Sequence, residues 1–205
     1  AYELAKVYNG KVDSWEIFNE PEAAENDMSL KETADKLVNF IAAMSIGIRD
    51  ADENAMVATP GFANSNNEVL DLSVRNSVQN YVDTIDYHNH TGAVTSTSLQ
   101  RMRPDQNINI NQMLRNYGIT DKPIWNSEAG ISCEDSIHMS TEMQRRQAEY
   151  IVVMHSQLLE FADRAFSYIF NYKKSGGFNW FSLDSHGPNR IYNTYSAMTD
   201  ILGEA

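Results

Sequence analysis

This 205-residue sequence predicts an α/β fold on a parallel sheet. Three observations lead there. Short strand-like apolar runs sit near 13–18, 55–59, 82–88, 122–127 and 164–170. Helical patterns lie between most of them, and strand–helix alternation is the signature of parallel α/β architecture. The runs are apolar on both faces, as strands covered on both sides must be.

The elements follow in order. Tyr2 to Tyr8 reads as a helix stopped by Asn9-Gly10. Trp15-Glu16-Ile17-Phe18 reads as a buried strand leading into Asn19-Glu20-Pro21, where proline ends it and leaves Asn19 and Glu20 outside the sheet pairing. From Leu30 to Arg49, Leu37, Phe40, Ile41, Met44 and Ile48 recur by three and four, the spacing of one helix face. Ser29 and Glu32 form a capping box at its start. Asn64 to Asn67 reads as loop. Residues 107–117 repeat the helical theme through Ile110, Met113, Leu114 and Tyr117, with Gly118 as the stop. Ser140 to Phe161 is the longest helix, capped by Thr141 or Ser140. Its inner stripe is Ala148, Ile151, Val152, His155, Leu158, Leu159 and Ala162.

Composition bounds the function. A hydrophobic content of 42% argues against disorder. A net charge of −12, with basic residues scattered, argues against nucleic acid and against an anionic membrane surface. No apolar run approaches the ~18 residues of a membrane helix. The single cysteine, Cys133, excludes an internal disulfide and a multi-cysteine metal cluster.

Two α/β architectures compete, a doubly wound sheet and a (β/α)8 TIM barrel. No GxGxxG or P-loop pattern supports the first. The strand ends instead carry polar residues: Asn19-Glu20, Thr59, Asp86 to His90 and Asn126-Ser127-Glu128. Several strand ends offering polar groups is how a barrel assembles an active site. A barrel needs eight units and about 250 residues, so five strands make a partial one. The expectation is a single partial catalytic domain over 1–205, holding strands four to eight. The leading strands would come from a preceding part of the barrel or from a second copy of the chain.

"KPIWNSEAG", residues 122–130, repeats the design of "WEIFNEPE", residues 15–22: an apolar strand, then a glutamate at its tip. Two facing carboxyl groups suit glycosidic bond cleavage, one giving a proton and the other attacking the sugar centre. A separation of about 5–5.5 Å implies retention, about 6.5–9.5 Å inversion.

These two stretches resemble the catalytic pair of the clan A retaining glycoside hydrolases, which include families 5 and 39. The resemblance covers essentially the whole chain. It implies that Glu20 is the acid/base, Glu128 the nucleophile and Asn19 a binder of the sugar 2-hydroxyl. It implies a β-linked oligo- or polysaccharide substrate and no cofactor. "DTIDYHNHTG", residues 83–92, resembles the clan's strand six with its His-x-Tyr ending. His88 fits the histidine, while His90 stands where the tyrosine is usual. His90 is expected to donate to Glu128 in its place, or Tyr87 to lie nearby. The His88-x-His90 spacing also raises a metal reading, which lacks the third and fourth ligands zinc needs. Phe166 to Phe170 resembles strand eight, with Phe170, Tyr172 and Trp180 as sugar-platform aromatics. Residues 183–198 resemble the closing loop and final helix. The sequon Asn89-His90-Thr91 is expected to be unmodified at a strand end. The rival expectation is a non-catalytic carbohydrate-binding barrel or an inactive fragment of a larger enzyme.

Overall fold

The computed structural model describes residues 1–23, 28–63, 67–94, 104–133, 141–168 and 190–202. The chain groups into two compact units. The first comprises Ala1–His88, Asp105–Ser127 and Phe161–Arg164; the second comprises Asn89–Pro104, Glu128–Glu160 and Ala165–Ala205.

The first unit begins with α1 (Tyr2–Val7), β1 (Ser14–Glu16), α2 (Leu30–Ala51), β2 (Met56–Ala58) and α3 (Glu68–Arg75). It also holds most of α4 (Pro104–Asn116) and the leading halves of β3 (Ile85–Val94) and β4 (Ile124–Cys133). β1 and β2 run parallel, pairing Ser14 with Met56, Trp15 with Val57 and Glu16 with Ala58. Single parallel bridges, Ala58 to Thr84 and Phe62 to Tyr87, continue toward β3. β3, β4 and β5 (Arg164–Ser167) are hydrogen-bonded in that order.

Alternation along these strands sorts the side chains. Val57, Ile85, Tyr87 and Ile124 join the core with Leu37, Ile41 and Ile48 of α2 and Leu70 and Val74 of α3. Asp86 and His88 occupy the other face of β3, both fully buried. Ser29 caps α2 as expected: its Oγ accepts from Glu32 N while Glu32 Oε2 takes Ser29 N at 3.0 Å. α3 had no assignment in the sequence. Asn67, in the stretch expected to be loop, is its N-cap, with Oδ1 accepting from Val69 N and Leu70 N. Arg49 clamps α2 to the turn before β3, reaching Tyr81 O at 3.0 Å and Asp83 Oδ2 at 2.9 Å.

Strand limits differ from expectation. β1 stops at Glu16. Ile17 is buried, but Phe18 has φ 78° and is 55% exposed, meeting Phe40 edge-on at 6.3 Å. Phe18 is therefore no part of a core strand, because a left-handed residue cannot continue the pleat. Pro21 opens a single 3-10 turn (Pro21–Ala23), and Asn19 and Glu20 do not escape pairing. Asn19 bridges to Gly61, and Glu20 N donates to Gly61 O at 3.0 Å.

The second unit packs α5 (Thr141–Leu158) against α6 (Arg190–Leu202). Its core holds Ala129, Tyr150, Ile151, Met154, Leu158 and Ile191. Ala148, His155 and Leu158 face inward as expected, whereas Val152 and Leu159 are exposed. Tyr150 and Met154 take the buried places, because the inward stripe drifts at 3.6 residues per turn. β3 runs on past His90, and β4 runs on past Glu128 to Cys133. These residues sit within strands rather than at strand tips. For Glu128 the ladder persists beyond it, with Tyr168 N donating to Ala129 O at 2.8 Å. Among the described residues no helix is long and apolar enough to cross a membrane.

Candidate active site

Glu20 lies in the first unit on the segment that leaves β1. Its backbone is left-handed, φ 41°, an uncommon state for a residue with a Cβ. The Gly61 carbonyl bond holds it there. Glu22, two residues on, fixes the facing segment, since its Oε1 accepts from Ala63 N and from Asn67 Nδ2. Glu20 is thus carried on a cross-braced loop edge.

His88 meets Glu20. Its Nδ1 is 2.8 Å from Glu20 Oε1, with the imidazole wholly buried and the glutamate side chain 27% exposed. The ring packs over Gly61, where a Cβ would lie 2.0 Å from His88 Nε2 and 2.8 Å from Glu16 Oε1. A glycine is required there by space alone, as any side chain would displace the histidine.

Beneath this contact are two acids that sequence reasoning did not select for the site. Glu16, at the end of β1, accepts from Gly61 N at 3.0 Å. Asp86, fully buried on β3, takes Tyr87 N at 2.8 Å and Ser127 N at 3.0 Å on Oδ1. Burial first, and the neighbouring Glu16 charge second, push the Asp86 carboxyl up to about 8. The signal was present: each is a lone acid inside an apolar run, "WEIF" and "TIDYH". For Asp86, which is fully buried, a charge there carries a large desolvation cost unless it is paired or neutralised, whereas Glu16 is exposed.

Tyr87 belongs to the core of the first unit. Its side chain points to the opposite face, into the core, fully buried, where burial raises its hydroxyl well above the usual range. Asn126 Nδ2 donates to Tyr87 O at 3.1 Å. Trp125 is buried, as expected for a packing residue, with the Arg164 guanidinium 4.9 Å over its ring. Asn89 is 3% exposed.

In the second unit His90 Nε2 lies 3.2 Å from Glu128 Oε2, the two side chains 27% and 29% exposed. The sequence expectation put these two side chains together, and they are in contact. Tyr168 is a further aromatic here, edge-on to His90 at 5.2 Å, which the sequence reading passed over in favour of later residues. Phe170, Tyr172 and Trp180 lie outside the described residues.

Neither a scan against protein-family models nor a search of curated proteins finds a match. Solved structures do match. A family 39 glycoside hydrolase from the gut symbiont Bacteroides cellulosilyticus WH2 superposes with a TM-score of 0.74 at 12% identity, over 99% of this chain and 44% of that one. The chain has the fold of part of a (β/α)8 barrel. A family 39 β-xylosidase from Caulobacter crescentus gives a TM-score of 0.68 at 14% identity, covering 97% of this chain and 46% of its own. Xylanase 10B from Thermotoga petrophila RKU-1, solved with xylobiose, gives 0.65 at 13%, covering 98% and 64%. Family 5, 10 and 39 enzymes of clan A all stand among these neighbours. The chain therefore spans between under half and about two-thirds of the barrel enzymes it resembles.

Proposed function

We propose that the chain is the part of a retaining glycoside hydrolase that carries both catalytic glutamates. The observation that carries this reading is that each glutamate has its own histidine on β3, Glu20 with His88 and Glu128 with His90. An Asn-Glu-Pro turn with a left-handed glutamate adds support, since strained backbone concentrates at functional sites. The glycoside hydrolase fold supplies the context.

In this reading Glu20 protonates the leaving oxygen while Glu128 attacks the anomeric carbon. The glycosidic bond breaks and a glycosyl ester forms on Glu128. Glu20, now ionised, takes a proton from water, which displaces the ester and regenerates both groups. Asn19 binds the 2-hydroxyl, Tyr168 or later aromatics stack on the sugar ring, and no cofactor takes part. The whole chain acts as one partial catalytic domain. The substrate is a β-linked sugar. Two of the similar proteins are named for xylan chemistry, so an aryl β-xyloside is a fitting first probe.

The test is Glu128→Ala in the native protein at its full mass. Turnover of an activated aryl glycoside should fall by at least about a thousandfold. Added azide should restore it and yield the α-glycosyl azide. Undiminished turnover without azide overturns the Glu128 assignment. A carbohydrate binder without catalysis would bind the sugar and release no aglycone in either form.

A further inference from the structure

The join between α1 and α2 carries an inference about covalent chemistry. α1 has six residues, too few to hold a helix without packing. Ala5 is its buried residue, while Leu4 and Val7 are more than half exposed. The docking of this segment therefore leans on its two ends. At the first, Ala1 and Tyr2 lie against Gly47 of α2, where a Cβ would come within 3.3 Å of Ala1 Cβ and of Tyr2 N. At the second, Asn9 Nδ2 donates to Ala51 O at 2.7 Å, and Gly10 N donates to Asp52 Oδ2 at 3.0 Å. Asp52 is buried, and its Oδ1 accepts from Asn54 N at 3.1 Å, so both of its oxygens are fixed. Asn9-Gly10 is the one Asn-Gly pair in the sequence.

Asparagine is a labile residue, and most so before glycine, whose nitrogen no Cβ shields. That nitrogen, its proton lost to hydroxide, bonds to the asparagine Cγ. The Cγ–Nδ2 bond breaks and ammonia leaves, carrying a proton from water. A second water opens the cyclic imide to aspartate or isoaspartate. Here both reacting groups are engaged by the C-terminal end of α2. The Gly10 proton points at the Asp52 carboxylate, and its removal there sets two anions side by side. The turn itself is closed by Lys11 N donating to Tyr8 O at 2.8 Å, with Gly10 at φ 68°. We propose that Asn9 is a deamidation site gated by the C-terminal end of α2: docking of α1 shuts the reaction off, and its release turns the reaction on. Conversion then follows local opening. It is also one-way. The product carboxylate has no donor for Ala51 O, and it sets a negative charge at the negative end of α2 beside Asp52. The modified chain keeps α1 released.

The test follows Asn9 by peptide mapping in the native full-length protein, held folded at mildly alkaline pH. Asn9 should convert at least about tenfold more slowly there than in the same chain unfolded in guanidinium chloride. Asp52→Ser has a side chain too short to hold Gly10 N, and it should speed conversion in the folded protein about tenfold. Asn9→Asp is the product itself. It should speed hydrogen exchange at the Ala5 and Tyr8 amides about tenfold and leave the middle of α2 unchanged. Equal conversion in folded and unfolded chains overturns the proposal, and that comparison needs no variant. A folded Asp52→Ser protein that converts no faster than the unsubstituted one overturns the gate. Unchanged exchange at Ala5 and Tyr8 in Asn9→Asp overturns the one-way release. Should Asp52→Ser fail to fold, the folded-to-unfolded ratio and Asn9→Asp decide the matter by themselves.

Discussion

His88 Nδ1 lies 2.8 Å from Glu20 Oε1, a wholly buried imidazole against a carboxyl that solvent reaches. The histidine is fixed by packing over Gly61, so the glutamate inherits its orientation from a glycine on another strand segment. Gly61→Ala tests this. The added methyl must displace the His88 ring, and the overpacking should cost about 1–3 kcal/mol, read by urea denaturation. Misplacing a catalytic group by about 1 Å costs about a hundredfold in rate, so kcat/KM should fall on that order. A variant with unchanged kcat/KM would show that His88 does not orient Glu20.

Asp86 gives stability a slope. Its carboxyl is held up to about 8 in the fold against an ordinary 3.8. Between these values the folded state binds a proton that the unfolded state has released, so stability falls as pH rises from about 4 to about 8. Asp86→Asn should flatten that slope and raise stability at its alkaline end. Thermal midpoints collected across the window would contradict the account if the two proteins ran parallel.

His155 works the other way. Burial in the second unit lowers it to about 4 from 6.5, and its Nε2 meets Ser167 Oγ at 2.6 Å. Below about 6.5 the unfolded state takes a proton that the folded state refuses, so stability is lost as pH falls from about 6.5 to about 4. His155→Gln should reduce this acid sensitivity. Denaturant midpoints at pH 7 and pH 5 would show it as a smaller difference than in the unsubstituted protein.

Ser29→Ala is the contrasting substitution. It removes one half of the α2 capping box and should cost about 1 kcal/mol. Chemical denaturation should register that loss, while kcat/KM stays unchanged. A large kinetic effect would mean that the start of α2 couples to the Glu20 segment.

Much of the fold was legible because local signals and burial agree. The α2 capping box and the Leu37, Ile41 and Ile48 stripe are visible in the letters and present in the structure. α3 was not legible. It has eight residues, and its N-cap Asn67 reads as loop until the backbone is seen to turn onto Asn67 Oδ1. Strand ends were the weakest reading. Phe18 looks like core by type, yet its φ of 78° turns it to solvent, and only tertiary bracing by Gly61 and Glu22 explains the shape of that turn.

The candidate site divides similarly. Glu20, His88, His90 and Glu128 come from motif pattern, and each glutamate has its histidine partner. Tyr87 was misplaced because the strand's two-residue period, which puts it on the core side, weighed less than its nearness in sequence to His88. Glu16 and Asp86 were overlooked as a pair because 70 residues of chain separate them; only adjacency in space makes one acid's charge the other's problem.

The central claim is a covalent sugar ester on Glu128. The most direct measurement treats the native protein with a 2-deoxy-2-fluoro aryl β-glycoside and maps the modified peptide by mass spectrometry. The account predicts one fluoroglycosyl group per molecule on Glu128, absent in Glu128→Ala. Label on any other residue would contradict it, as would steady hydrolysis of the matching fluorine-free substrate with no label formed.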